Sequence, residues 1–387
     1  MWRIILFLLA AACAGGGALT AWRAPTLATW KLALLAGEFG HFLWPVPAVV
    51  MVLAWRQGAA GLTPALLRAS TLLLGVAAMG LLLKPAAQAR ALGRTLPDRL
   101  TRAFGPQEPG RAPFSVGGML PKLSGGPVQV EKISFARAGT PDGLALDFYH
   151  AVRTDGRAAP CVVVIHGGGW DSGDRTQLEG FNRRLARRGY AVAAMDYRLA
   201  PKDRWPAQAD DVAAALAHLK AAAGPLGLDP QKFVLLGRSA GGQIATAFAY
   251  GRPDPAVRGV VALYAPHDLH FAWQYGREDD VLNSLQLLRN YLGGPPDETT
   301  QAAYDSGSAW QLADKSSPPT LLVHGELDTL VWHRQSERLH ARLDGLGVPN
   351  VFVSLPWATH AFDWNPGGPG GQLTSFALDW FLASVTK

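Results

Sequence analysis

The apolar positions along the chain fall into two regimes. Up to about residue 83 they form long runs: 4–21, 32–54 and 65–83. Only six charged side chains interrupt this part of the chain. A helix needs about 20 mostly apolar residues to cross a bilayer. The first and third runs are just long enough. The second is longer but contains Glu38, His41, Pro45 and Pro47, and prolines kink helices. Trp2, Trp22, Trp30 and Trp55 lie at or near the ends of the runs, where interfacial belts collect tryptophan. Residues 1–83 therefore read as a multi-pass membrane region of three spanning helices, or two and a kinked one. Arg3 followed by Ala12-Cys13-Ala14 also fits a cleaved leader, but two apolar runs would remain after cleavage. Glu38 and His41 lie about one helical turn apart. They are either an intramembrane functional pair or two groups placed near an interface by the proline break.

From Lys84 to Gly126 the chain is punctuated by Pro85, Pro97, Pro106, Pro109, Pro113 and Pro121, with many Gly and Arg. This composition predicts a linker over 84–126.

Beyond it, short β-branched runs alternate with longer amphipathic ones. Strands are expected over 128–135, 144–150, 161–165, 191–195, 233–236, 260–264, 320–323 and 351–355. Helices are expected over 177–188, 207–222, 240–250, 333–346 and 373–383. The later strands are continuously apolar, as in a parallel sheet covered on both faces. Alternation with helices indicates wound βαβ units. Residues 127–387 thus form one α/β domain, with an insertion at about 265–318 that reads as a cap. Its aromatic residues Phe271, Trp273, Tyr275 and Tyr291 are candidates to line an apolar pocket.

Charge sharpens this division. The net charge is +6, but 1–83 carries +4, 84–132 carries +5, and 133–387 carries −3. No folded domain presents the basic face that nucleic-acid binding requires, so nucleic acid is excluded as a partner. Basic residues beside apolar runs instead mark membrane flanks. With three spans, Arg3 and Arg56 share one side, and Arg23, Lys31, Lys84, Arg90 and Arg94 share the other with the α/β domain. The positive-inside rule then favours a cytoplasmic α/β domain, whereas the short Arg3-led start argues the reverse. Two cysteines, Cys13 and Cys161, make neither a disulfide framework nor a cysteine zinc cage.

The chemistry lies in loops that follow strands. Gly237-Arg238-Ser239-Ala240-Gly241 is a G-x-S-x-G sequence between an apolar strand and a helix. Such a turn exposes the serine hydroxyl and aims the next helix N-terminus at it. His166-Gly167-Gly168-Gly169-Trp170 follows another strand. Its glycines suit close backbone approach and an oxyanion hole, with the Ala240 N–H as a further donor. No Lys-Ser/Thr follows, which argues against a phosphate loop. A serine needs a base. His360 follows the last strand and Asp328 the one before it, giving the chain order Ser239, Asp328, His360. Glu326 and Asp363 are the spare acids, and His267, His270 and His324 read as structural.

Together the His-Gly-Gly-Gly-Trp loop, the run Asp196-Tyr197-Arg198-Leu199-Ala200-Pro201, Gly-x-Ser-Ala-Gly-Gly and Trp205-Pro206-Ala207…Asp210-Asp211 resemble the α/β-hydrolase superfamily. Within it they are most similar to the hormone-sensitive-lipase-like and feruloyl-esterase-like carboxylesterases. The resemblance covers the C-terminal 260 residues or so. It implies a mostly parallel eight-stranded sheet with helices on both faces. It also implies an oxyanion hole from Gly168 and Gly169, and supporting rather than catalytic roles for Asp196 and Arg198. No metal or organic cofactor is implied. Arg238 departs from the pattern, since many lipase-like members carry an acid there. The expectation is a membrane-anchored serine carboxylesterase with Ser239 as nucleophile, His360 as base and Asp328 as orienting acid. Its partners would be a small-molecule or lipid ester and the lipid bilayer. The alternatives are a peptidase or amidase on the same fold, or a membrane-tethered binding protein with a vestigial hydrolase fold.

Overall fold

A computed structural model describes residues 1–58, 61–108, 110–120, 125–136 and 143–387. Pro109, Pro121 and part of the expected linker lie outside these residues.

Eight strands form one sheet: β1 (Val130–Ala136), β2 (Leu144–Tyr149), β3 (Ala159–Ile165), β4 (Ala191–Met195), β5 (Leu228–Arg238), β6 (Val257–Leu263), β7 (Thr320–Gly325) and β8 (Asn350–Leu355). Their spatial order is β1-β2-β4-β3-β5-β6-β7-β8. The first two pairings are antiparallel, and every pairing from β4 onward is parallel. The register aligns the strand ends: Ile165 lies opposite Gly237, Leu263 opposite Val323, and Gly325 opposite Leu355. The loops that leave β3, β5, β7 and β8 therefore emerge along one edge, where ligands bind in wound sheets.

Side chains alternate between two cores. Cys161, Val163, Ile165, Phe233 and Leu235 face one. Val162, Val164, Val234, Leu236 and Val353 face the other. This two-sided burial accounts for the unbroken apolar runs.

The helices are α1 (Trp2–Ala18), α2 (Leu27–Leu43), α3 (Pro45–Arg56), α4 (Leu62–Phe104), α5 (Glu179–Arg187), α6 (Ala207–Ala221), α7 (Ala223–Leu226), α8 (Ala240–Gly251), α9 (Leu269–Tyr275), α10 (Ser284–Leu292), α11 (Gln301–Gly307), α12 (Ala309–Leu312), α13 (Arg334–Leu346) and α14 (Pro369–Val385). The short helices α9 to α12 fill the stretch between β6 and β7. They are pinned to the sheet domain through Gln243 of α8. Its carboxamide oxygen accepts from Trp170 Nε1 at 2.8 Å and Tyr291 Oη at 3.0 Å, and its nitrogen donates to the Gly307 carbonyl at 2.7 Å.

The N-terminal part differs from the sequence expectation in two ways. First, 84–104 is not linker but the second half of α4, a 43-residue helix that is about 64 Å long at 1.5 Å per residue. Pro85 and Pro97 sit inside it. Leu82, Pro85, Ala89, Gly93, Leu96 and Leu100 are buried at spacings of three and four. Ala89, Leu96 and Leu100 join the sheet core beside Leu373, Phe376 and Phe381 of α14. Intervening arginines and two prolines conceal that helical period in the sequence.

Second, the three apolar runs do not become three like helices. Among the described residues α4 alone is long and apolar enough to cross a membrane by itself. The helices α2 and α3 reach that length only together, across a bend of 61°. Helix α1, at 17 residues, is shorter. The first half of α4 packs with α1 and α3, burying Leu6, Ala10, Val50 and Ala54. Outward it exposes Leu62, Leu66, Leu73 and Val76, and the bundle also exposes Ile4, Leu8, Val49 and Val52. Helix α2 packs on α1 and α4 and also reaches the sheet domain, at α14 and Trp357.

Candidate active site

At the end of β5 the chain turns through Ser239, with φ +52° and ψ −121°, straight into α8. A non-glycine residue adopts this conformation only when its surroundings enforce it. A Cβ at Gly237 would run into the backbone of Gly241, and one at Gly241 into the carbonyls of Ile165 and His166. The two glycines therefore let strand, turn and helix pack at this distance, while the Ser239 N–H is held by the Leu263 carbonyl at 2.9 Å.

His360 packs its ring on Tyr264, with centroids 4.4 Å apart. Its Nδ1 lies 2.7 Å from Asp328 Oδ2. A carboxylate only accepts, so Nδ1 carries the proton and Nε2 is left as the basic nitrogen. Asp328 is itself fixed. Its Oδ1 accepts from the backbone N–H of Leu330 at 2.8 Å and of Val331 at 2.9 Å. Its Oδ2 also receives His324 Nε2 at 3.2 Å. Burial would raise the Asp328 pKa. The charges and hydrogen bonds of His360 and His324 outweigh burial and hold it well below the usual carboxylate range.

The glycine loop after β3 completes this edge. Gln177 Oε1 takes the Gly167 N–H at 2.9 Å. Among the described residues the N–H groups of Gly168, Gly169 and Ala240 have no hydrogen-bond partner. Gly168 has φ +129°, and a Cβ there would collide with the Ser172 carbonyl.

Ser239, His360, Gly168, Gly169 and Ala240 all line one cavity of about 790 Å³. Asp328 sits behind His360 and is 1% exposed. Phe271, Tyr275, Leu282, Leu287, Leu330 and Trp332 supply an apolar wall. Of the cap aromatics, Phe271 and Tyr275 reach the cavity. Tyr291 instead stacks on Trp170, and Trp273 packs edge-on to Tyr304.

The spare acids are occupied elsewhere. Glu326 Oε1 accepts from Ser354 Oγ at 2.7 Å. Asp363 holds Arg238 Nε at 2.6 Å and the Tyr264 hydroxyl at 2.6 Å, and both Arg238 and Asp363 are almost fully buried. The unusual arginine beside the nucleophile is thus neutralised in an ion pair, with its guanidinium 4.3 Å from the Phe181 ring centre. Asp196 and Arg198 are both held in ion pairs. Asp196 pairs with Arg175, and Arg198 with Asp211.

Three residues have contacts at the site that their sequence readings do not give: His324, read as structural, and Arg23 and Trp30, read as flanks of apolar runs. His324, inside β7, contacts Asp328, and the i, i+4 spacing of the two is the signal the sequence offers. Arg23 and Trp30 line the cavity from the N-terminal part, about 300 residues away in the chain, and nothing local in the sequence marks them.

The BD-FAE family profile matches residues 146–343, half of the chain. The probable carboxylic ester hydrolase LipM of Mycobacterium tuberculosis is 30% identical over 242 residues, which is 59% of this chain and 54% of that protein. Esterase LipC of the same organism is 27% identical over 264 residues, or 64% of each. The chain thus spans roughly half to two thirds of the length of these curated relatives. Among solved structures, a bacterial heroin esterase superposes with a TM-score of 0.57 at 23% identity, covering 79% of this chain and 92% of that one. That likeness concerns the fold. With the sheet order, the turn at Ser239 and the matched profile in agreement, the chain belongs to the BD-FAE family of α/β-hydrolases.

Proposed function

We propose that the protein is a membrane-anchored serine carboxylesterase working through an acyl-enzyme. One observation carries the reading: a strained serine and a histidine whose Nδ1 is committed to a buried carboxylate face one largely apolar cavity. Ser239 Oγ attacks the ester carbonyl carbon as His360 Nε2 takes its proton. The resulting oxyanion is held by the N–H groups of Gly168, Gly169 and Ala240. His360 returns the proton to the leaving alkoxide, and the alcohol departs. Water, deprotonated by His360, then attacks the acyl-serine, and His360 returns the proton to Ser239 Oγ as the acid leaves. Asp328 keeps His360 in the productive tautomer and stabilises the imidazolium that forms in each half.

The anchoring is supported by the apolar first half of α4 and by the aliphatic residues that α1, α3 and α4 expose. Arg3 donates to the Gly58 carbonyl at the far end of this bundle, whereas Lys84 donates to the Thr20 carbonyl at the domain end. Arg23, Lys31, Lys84, Arg90 and Arg94 cluster toward the catalytic domain, and this charge bias favours the cytoplasmic side.

The test is hydrolysis of p-nitrophenyl esters from acetate to palmitate, with wild type beside Ser239→Ala. Turnover that falls by about 10⁶ in the variant, as for the serine of subtilisin, supports the reading. Near-wild-type turnover in Ser239→Ala refutes it. Retention in the pellet after alkaline carbonate extraction tests the anchoring.

A further inference from the structure

Helix α2 is in contact with the loop that carries His360. Trp30 Nε1 donates to the His360 backbone carbonyl at 3.3 Å, and the Trp30 ring lines the cavity. Two turns further on, Glu38 is 1% exposed. Its Oε1 accepts from Trp357 Nε1 at 3.2 Å, and its Oε2 accepts from the Gly370 N–H at 2.9 Å. Its backbone carbonyl accepts from Asn365 Nδ2 at 2.8 Å. Gly370 lies in the first turn of α14, so the carboxyl also meets the positive end of that helix. A Cβ at Gly368 or Gly370 would run into Glu38. The segment 357–370, with His360 inside it, is therefore gripped at four residues, Trp357, His360, Asn365 and Gly370, by one N-terminal helix.

We infer that α2 is a working part of the active site, with Trp30 and Glu38 as positioning residues for His360. Asp328 fixes the direction in which the imidazole points. Trp30 and Glu38 fix the loop from which it projects, and so the distance from Nε2 to Ser239. A sheet domain without a seated α2 keeps Ser239 and Asp328 in place but leaves the 357–370 loop without these four holds. The Trp30 side chain also forms part of the cavity wall. The inference rests on the esterase reading above.

The experiment uses the full chain in detergent. Active sites are titrated with a fluorophosphonate, and turnover of p-nitrophenyl acetate is then expressed per titrated site. Trp30→Phe keeps an aromatic ring and removes the donor. Its turnover per site is expected to fall about fivefold to tenfold, the equivalent of one ordinary hydrogen bond, with the acetate KM unchanged. Glu38→Gln sets an NH₂ group against the Trp357 or Gly370 N–H, and a fall of about 10² per site is expected for a loop displaced by near 1 Å. Leu35→Ala, on the exposed face of α2, serves as the control with wild-type turnover. A purely structural role lowers the number of titratable sites and leaves turnover per site at the wild-type value. That result in both variants overturns the inference. If Ser239→Ala is inactive while Trp30→Phe and Glu38→Gln match wild type per site, only the role of α2 falls. If Ser239→Ala remains active, the esterase reading falls, and this inference with it.

Discussion

Asp328→Asn is the most exacting test of the geometry around His360, because the structure dictates which way the new amide must point. Oδ1 of Asp328 accepts from two backbone N–H groups, those of Leu330 and Val331. An asparagine keeps both bonds only with its carbonyl oxygen on that side. Its NH₂ then occupies the position of Oδ2, 2.7 Å from His360 Nδ1 and 3.2 Å from His324 Nε2. His324 can adapt. In the native site its Nε2 donates to Asp328 and to the Val331 carbonyl, while its Nδ1 sits 2.8 Å from Ser336 Oγ. A tautomer switch lets Nε2 accept from the amide and Nδ1 donate to the serine, with loss of the bond to the Val331 carbonyl. His360 can satisfy the amide only by the same switch, which puts its proton on Nε2, the nitrogen that must accept from Ser239. The fold is preserved while the base is blocked.

The corresponding loss in a serine protease is about 10⁴ in kcat, or about 5.5 kcal/mol of transition-state stabilisation. The same magnitude is expected here, with the thermal midpoint little changed. The assay is kcat for p-nitrophenyl acetate, with circular dichroism melts alongside. A variant within tenfold of wild type would remove Asp328 from the mechanism. Glu326→Gln, whose carboxylate is bonded to Ser354 rather than to His360, should retain activity.

Asp363→Asn should destabilise the protein by about 3–5 kcal/mol, because it strands the buried Arg238 guanidinium without its carboxylate; equilibrium denaturation would measure this, and an unchanged midpoint would contradict the buried pair. Gly168→Ala should lower kcat by about 10²–10³, since a Cβ at φ +129° meets the Ser172 carbonyl and shifts an oxyanion donor; stopped-flow acylation rates would report it. Burial pushes the His267 pKa down to about 3, with His324 adding to the effect. The unfolded chain takes up this proton near pH 6.5. The unfolded state thus binds more protons between pH 6.5 and 3, and His267 makes stability fall as pH drops through that window. His267→Gln should flatten the slope of the unfolding midpoint against pH there, and an unchanged slope would refute the assignment.

The sequence displays most plainly what is written in contiguous residues. The turn at Ser239 is one such feature, since five adjacent positions encode both its strain and the close approach of Gly237 and Gly241. The loop positions of Asp328 and His360 are another, because each follows an apolar run whose end marks the sheet edge. Features that depend on distant partners are silent. Nothing near Arg238 announces Asp363, 125 residues on. Nothing near Glu38 announces Trp357 or Gly370, and a buried acid in an apolar run resembles an intramembrane site as readily as a clamp. The second half of α4 is hidden differently. Its buried positions keep helical spacing, but Pro85, Pro97 and the arginines between them dominate any reading by composition.

The continuity of α4 makes the protein a post rather than a leash. A flexible linker of 20 residues would let the hydrolase domain wander over roughly 25 Å. Here the helix that leaves the apolar bundle is the one that covers the sheet, with Ala89, Leu96 and Leu100 in the core and Arg99 donating to the Phe352 carbonyl of β8. Wherever the bundle is held, the mouth of the Ser239 cavity is held too, at one height and one bearing. With the bundle in a bilayer and an ester as substrate, as proposed above, the cavity surveys a thin layer beside its own footing, and an ester's residence in that layer matters as much as its fit to the cavity.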